Sequence, residues 1–256
     1  MRRRLLGYVR EAFPPAVHAP FAALWYGAAA GWPATPRLAL GLAHAVLVLL
    51  ALRVIDDWKD EPYDRRHHPD RPLPAGRVAP RDLAWLLGGL GVALVAVNAA
   101  LGAPFLALTL GQLAFAALMA LARRGGTFLA RRWALEVLLV QPLNLALTVH
   151  ALWLGSGGLA VVVACSGALL QLEVLRKTAL APRPGEELYS NLAGPGPALA
   201  LAWLLAAAAA LAIGPLALGL LALHGAALLH PAGRRRRGAV GVAFLVAALG
   251  LLGARP

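Results

Sequence analysis

Four aspartates fall at Asp56, Asp57, Asp60 and Asp64 in the stretch DDWKDEPYD. With Glu61 and Asp70 they make six of the chain's twelve acidic residues within fifteen positions. On a helix, Asp56 and Asp60 stand one turn apart on the same side, and like charges at that spacing repel. A bound cation removes the repulsion. Magnesium takes carboxylate oxygens, keeps several of its waters, and bridges a protein to phosphate oxygens. Lys59, Arg65, Arg66 and Arg71 are interspersed with the acids. Carboxylates mixed with cations suit a magnesium–diphosphate better than a lone metal. The competing reading is a solvated acidic loop capping a helix end. The i, i+4, i+8 spacing of Asp56, Asp60 and Asp64, and the scarcity of acids elsewhere, count against it. Pro62 is expected to break or kink the helix near Glu61, so that Asp64 reaches the site from beyond the kink. The following RPLPAGR, residues 71–77, reads as a stiff turn.

The elements that must hold these residues are apolar. The chain has 256 residues, 60% hydrophobic and only 14% charged, against roughly 25% charged in a soluble domain. Runs of sixteen to twenty apolar residues recur along it, a length that approaches or reaches the ~20 residues needed to cross a bilayer. Nine helices are expected, over residues 15–32, 36–55, 82–100, 104–122, 133–153, 158–175, 195–212, 215–230 and 238–253. The expected fold is all-α: a polytopic membrane protein, one domain over 1–256, with about nine transmembrane helices around a central apolar groove and cytoplasmic cap loops.

Charge orients it. Of the 24 Lys and Arg residues, 22 fall at the N-terminus or in the connections after the second, fourth, sixth and eighth helices. Cytoplasmic loops carry the Lys/Arg excess, so the N-terminus is expected in the cytoplasm and the C-terminus outside. The net charge of +12 is then a topology signal. The GRRRR run at 233–237 implies contact with the lipid bilayer and its anionic headgroups, and nucleic acid is not an expected partner. The single Cys165 lies in an apolar run and excludes a disulfide framework. The basic opening MRRRLLGYVREAFPP lacks the apolar region of a signal peptide.

The stretch DDWKDEPYD followed by DRPLPAG resembles the first aspartate-rich motif of the UbiA superfamily of intramembrane prenyltransferases. The number of expected helices and the position of the motif after the second agree, so the resemblance covers essentially the whole chain. It implies that Asp56, Asp60 and Asp64 coordinate Mg²⁺ on an isoprenoid diphosphate, with Asp57 in the same catalytic group. It also implies that the donor ionises to an allylic cation, which a small acceptor, aromatic or lipid-like, attacks at the cytoplasmic face. The family's second aspartate-rich motif follows the sixth helix, and there this sequence departs. The stretch LEVLRKTALAPRPGEELYSNLAG contains no Asp. Glu173, with Glu186 and Glu187, stands where a second Mg²⁺ would be held, beside Arg176 and Lys177 as phosphate contacts. Alternatively the second metal is lost and activity is altered or absent. Tyr189 and Ser190 match the family's loop exit and are assigned to the diphosphate.

Further diphosphate contacts are assigned to Lys59 and Arg71, and to Arg10, Arg123 and Arg124, the last three balanced against a plain topological role. Arg131 and Arg132 carry the same alternatives. Glu136 is set to pair with Arg132 at i, i+4. Asn98, Gln112, Gln141 and Asn144 read either as a polar headgroup pocket or as interhelical hydrogen bonds. No metal role falls to His150, His224 or His230. Two rival functions remain: a homologue that binds prenyl lipids without turnover, and a membrane transporter. Transporters place their sites near the bilayer midplane, whereas the acids of this chain cluster at helix ends.

Overall fold

A computed structural model describes residues 1–33, 35–124, 141–155, 158–181, 188–230 and 236–254, without the side chains of Arg123, Arg124 and Gln141. Every regular element among them is helical. In chain order they are α1 (Arg2–Ala12), α2 (Pro15–Ala30), α3 (Pro36–His67), α4 (Pro80–Leu101), α5 (Ala103–Arg124), α6 (Gln141–Leu152), α7 (Leu159–Arg176), α8 (Tyr189–Ala193), α9 (Pro195–Ile213), α10 (Pro215–Leu229) and α11 (Arg237–Gly253). Proline opens α2, α3, α4, α9 and α10, at helix starts where its missing N–H costs nothing.

Five of these helices, α3, α4, α5, α7 and α9, are long and apolar enough to cross a membrane. The chain is an integral membrane protein. The expected run 15–32 is the sixteen-residue α2, and α6, α10 and α11 are shorter apolar helices. At 1.5 Å per residue, α2, α10 and α11, of 15 to 17 residues, span less than the ~30 Å hydrocarbon core, and residues 133–140 of the expected run 133–153 lie outside the described residues. Length and composition therefore support five crossings among the described residues, fewer than the nine expected.

A second departure is α3. It does not end near residue 55 but continues for 32 residues through Pro62 to His67. Proline removes one intrahelical hydrogen bond. Around it the helix is held by Arg65 Nε donating to Glu61 Oε1 at 2.6 Å and by the His68 N–H donating to Asp64 O at 2.8 Å.

The chain forms two compact units, Met1–Tyr26 with Ala34–Arg132, and Gly27–Pro33 with Trp133–Pro256. In the first, α3, α4 and α5 pack on one another and α1 packs on α4. The buried positions of α3 run Gly41, His44, Ala45, Val48, Ala51, Val54, then Asp57, Glu61 and Asp64. One stripe at helical spacing is thus apolar, apart from His44, along the hydrophobic part of the helix and acidic beyond it. Val48, Ala51 and Val54 join Tyr8, Leu73, Leu83 and Leu94 in the core. Asn98 of α4 donates to His44 Nδ1 at 3.1 Å and to Leu94 O at 2.8 Å, so Asn98 serves as an interhelical hydrogen bond. Arg37 donates to Leu101 O at 2.7 Å, tying the start of α3 to the end of α4.

In the second unit α7 is the hub, packed on α6, α9 and α11, with α10 against α9 and α11. The buried face of α9 is nearly all alanine: Ala198, Ala202, Ala206, Ala209 and Ala210. Small faces let backbones approach closely. A Cβ at Gly167 of α7 would lie 2.8 Å from Leu205 O. Gln171 of α7 donates to Gly241 O of α11 at 2.9 Å. The segment 27–33 also belongs to this unit. Gly155 sits directly on the Ala30 carbonyl, and the Trp32 indole on Gly253, where a Cβ would lie 2.7 Å from Nε1.

Candidate active site

The acids occupy the last three turns of α3, beyond its apolar stretch, and they divide between two faces. Asp56 and Asp60 form one pair. The Lys59 ammonium lies 3.1 Å from Asp56 Oδ1 and 3.8 Å from Asp60 Oδ1. Asp57, Glu61 and Asp64 form the buried set. Asp57 Oδ2 accepts a hydrogen bond from the Tyr8 hydroxyl at 2.7 Å, and its Oδ1 pairs with Arg53 at 2.7 Å. Both Asp64 oxygens lie 2.8 Å from Arg71 Nη1. Asp64 is thus paired with Arg71, and eight residues turn a helix roughly 80° past two full turns, which offsets it from Asp56.

The amphipathic α1 and the loop after α3 are fastened around this end. Arg4 Nε pairs with Asp82 at 2.9 Å, and Asp82 accepts the Ala79 N–H at the start of α4. Arg77 pairs with Glu11 and donates to Asp70 O at 2.6 Å. Between them lies a cleft of about 110 Å³ lined by Arg4, Tyr8, Glu11, Pro72, Arg77 and Val78. Burial, and then the charge of Asp57, push the Tyr8 phenol above its ordinary value. It keeps its proton and acts as donor to Asp57.

A magnesium ion has a donor set on the exposed face. Asp56 and Asp60 supply hard oxygen ligands one turn apart, and both already lie against a single cation, Lys59 Nζ. Two carboxylates plus substrate phosphates are the usual protein share of a magnesium site. The residues fit the ion in that form. Among the described residues, no three His, Cys, Asp or Glu side chains converge as a complete protein-only metal site.

In the second unit, Glu173 lies in the last turn of α7, 3.2 Å from Lys177 Nζ and 3.8 Å from Arg176 Nη1. Lys177 is the C-cap of that helix. The loop that follows is pinned at both ends. The Tyr189 N–H donates to Lys177 O at 2.7 Å, and the Ala179 N–H donates to Ser190 Oγ at 2.8 Å. Ser190 thus has a loop-closing contact in addition to its assignment to phosphate.

Of the remaining assignments, Arg10 is exposed on the last turn of α1. The side chains of Arg123, Arg124, Arg131, Arg132, Glu136, Gln141, Glu186 and Glu187 lie outside the described residues. Sequence reasoning missed Tyr8 and Arg53. Arg53 carried a signal, four residues before Asp57 on one helix. Tyr8 carried none, since its partner is 49 residues away.

The sequence matches the UbiA prenyltransferase family over residues 16–140. No curated protein matches it. Among solved structures, a UbiA homologue from Aeropyrum pernix K1 in its apo form is similar at a TM-score of 0.68 and 21% identity, covering 93% of this chain and 96% of that one. A UbiA homologue from Archaeoglobus fulgidus bound to GPP and Mg²⁺ is similar at 0.64 and 16% identity, covering 96% and 99%. A structure described as digeranylgeranylglyceryl phosphate synthase matches at 0.64 and 15% identity, covering 98% and 97%. The family model covers the acidic stretch and the fold is shared along the chain, so this protein is similar to the UbiA prenyltransferases in both, while the loop after α7 carries no aspartate.

Proposed function

We propose that this protein transfers a prenyl group from an isoprenoid diphosphate to an aromatic or lipid-like acceptor, with Mg²⁺, at the cytoplasmic membrane face. The observation that carries the reading is the convergence of Asp56 and Asp60 on one cation at the extramembrane end of α3. The A. fulgidus homologue bound to GPP and Mg²⁺ supports the donor class. In this reading the protein spans the membrane about nine times as one functional domain, with its N-terminus in the cytoplasm.

The carbon–oxygen bond to the diphosphate breaks with both electrons leaving on oxygen, and an electron pair of the acceptor closes on the allylic carbon. Bound Mg²⁺ would neutralise charge gathering on the departing diphosphate. Asp56 and Asp60 would hold the ion. Lys59 and Arg71 add fixed positive charge near the phosphate oxygens, which favours the same step. Arg176 and Lys177, cations where the family carries a second acidic motif, are proposed to serve the diphosphate directly, with Glu173 orienting Lys177. Arg10, Arg123 and Arg124 are proposed as outer phosphate contacts. Apolar helix surroundings keep water from quenching the cation.

Incubation of the purified protein and Mg²⁺ with labelled prenyl diphosphates and a panel of acceptors tests this reading. A prenylated acceptor is the expected result. Donor binding without release of diphosphate would favour the second reading, a prenyl-lipid-binding homologue, which the missing aspartates of the second loop support.

A further inference from the structure

Lys59 is the unusual residue of the acidic turn. Its side chain is only 10% exposed, while the carboxylates it pairs with, Asp56 and Asp60, are 57% and 31% exposed. Lysine is ordinarily among the most exposed residues, and burial of an ammonium must be offset by paired charge. The offset comes from the two carboxylates that are also the best ligands for a divalent ion. They repel each other at i, i+4, and Lys59 relieves that repulsion. An ion entering between them meets a positive charge already in place.

We propose that Lys59 is a built-in counter-ion that holds the Asp56–Asp60 pair until a diphosphate arrives, so that metal and donor load together. The proposal rests on the metal–diphosphate reading of this turn. A diphosphate offers Lys59 a stronger anionic partner, and its departure leaves the carboxylates to the incoming ion. Binding of either ligand then favours the other by the same factor, as linkage requires. Lys59 is a positioning residue for the metal and a binding residue for the phosphate, and its removal acts on the two with opposite sign.

Detergent-solubilised full-length protein is titrated with Mn²⁺ alone, read by electron paramagnetic resonance, and with a preformed manganese–pyrophosphate complex, read by retention of labelled pyrophosphate. Lys59→Met is expected to bind Mn²⁺ alone about fivefold more tightly than wild type, the upper end for a released ion pair. It should bind the pyrophosphate complex about tenfold more weakly, the loss of one charge-assisted contact. Lys59→Arg keeps the charge and should stay nearer wild type on both measures. If Lys59→Met does not fold, Lys59→Gln carries the same expectation. Mn²⁺ affinity that is unchanged or weaker in the neutral variants overturns the counter-ion, even where wild type binds the complex. Failure of wild type to bind either Mn²⁺ or its pyrophosphate complex overturns the metal reading and this proposal with it.

Discussion

At the scale of single residues, the acidic turn separates two tasks. Asp56 and Asp60 lie against the Lys59 ammonium, whereas Asp57 and Asp64 hold Tyr8, Arg53 and Arg71. Asp60→Ala should abolish Mg²⁺-dependent binding of a prenyl diphosphate, and Asp56→Ala should do nearly as much. Donor affinity that survives both Asp60→Ala and chelation refutes the site. Tyr8→Phe should leave Mg²⁺ dependence intact but cost about 1.5–3 kcal/mol of stability, the range for a hydrogen bond to a charged group. The pH dependence has a definite sign. The folded-state value for Tyr8 lies above the ordinary 10.0, so its stabilisation is full below pH 10 and declines as the unfolded chain loses the proton. The gap in melting temperature between wild type and Tyr8→Phe should narrow as pH rises past 10. Much of this turn was legible in sequence. The pairs Lys59–Asp56 and Glu61–Arg65 follow from helical spacing, as does Arg53–Asp57, which was missed although its signal was present. The partnership of Tyr8 with Asp57 was not, because it depends on where α1 lands.

At the scale of elements, helix type was legible and helix length was not. Apolar runs announce α3, α4, α5, α7 and α9, but Pro62 pointed to an early end for α3. Side-chain pairs along its buried stripe carry the helix past the proline. The alanine-rich α9 reads from sequence as low-complexity helix. Its meaning is tertiary: a smooth face against α7. Gly167→Val should therefore destabilise the second unit by about 1–3 kcal/mol, as overpacking does, because a Cβ there meets the Leu205 carbonyl at 2.8 Å. A thermal melt in detergent reads the loss. A melt equal to wild type would show that α7 and α9 can separate without cost.

For the molecule as a whole, the distribution of Lys and Arg makes a prediction that side-chain geometry does not. In a Cys165→Ala background, single cysteines at Asp70 and at Arg236 should label from the cytoplasmic side. Labelling from opposite sides would sink the proposed topology. Lys177→Ala should weaken donor binding by ~1.5–3 kcal/mol if its ammonium contacts phosphate, measured as donor affinity against Mg²⁺ concentration. Superimposed curves for variant and wild type would move the function toward a binding protein without turnover. The family was legible from DDWKDEPYD and DRPLPAG. The division into two units was not, because residues 27–33 carry no compositional mark that separates them from their neighbours.

That short segment sets an order for assembly. Ala30 and Trp32 are made early, yet their seats are Gly155 and Gly253. At about 5–20 residues per second of synthesis, the chain between 33 and 253 takes roughly ten to forty-five seconds to emerge. Through that interval the Trp32 indole has no Gly253 to rest on, and its backbone, at φ 50°, sits where a non-glycine residue needs support from its surroundings. The corner between α2 and α3 is thus a clasp left open until α11 is made, and a nascent chain halted before α11 should expose this tryptophan beyond the 43% it shows in the folded protein.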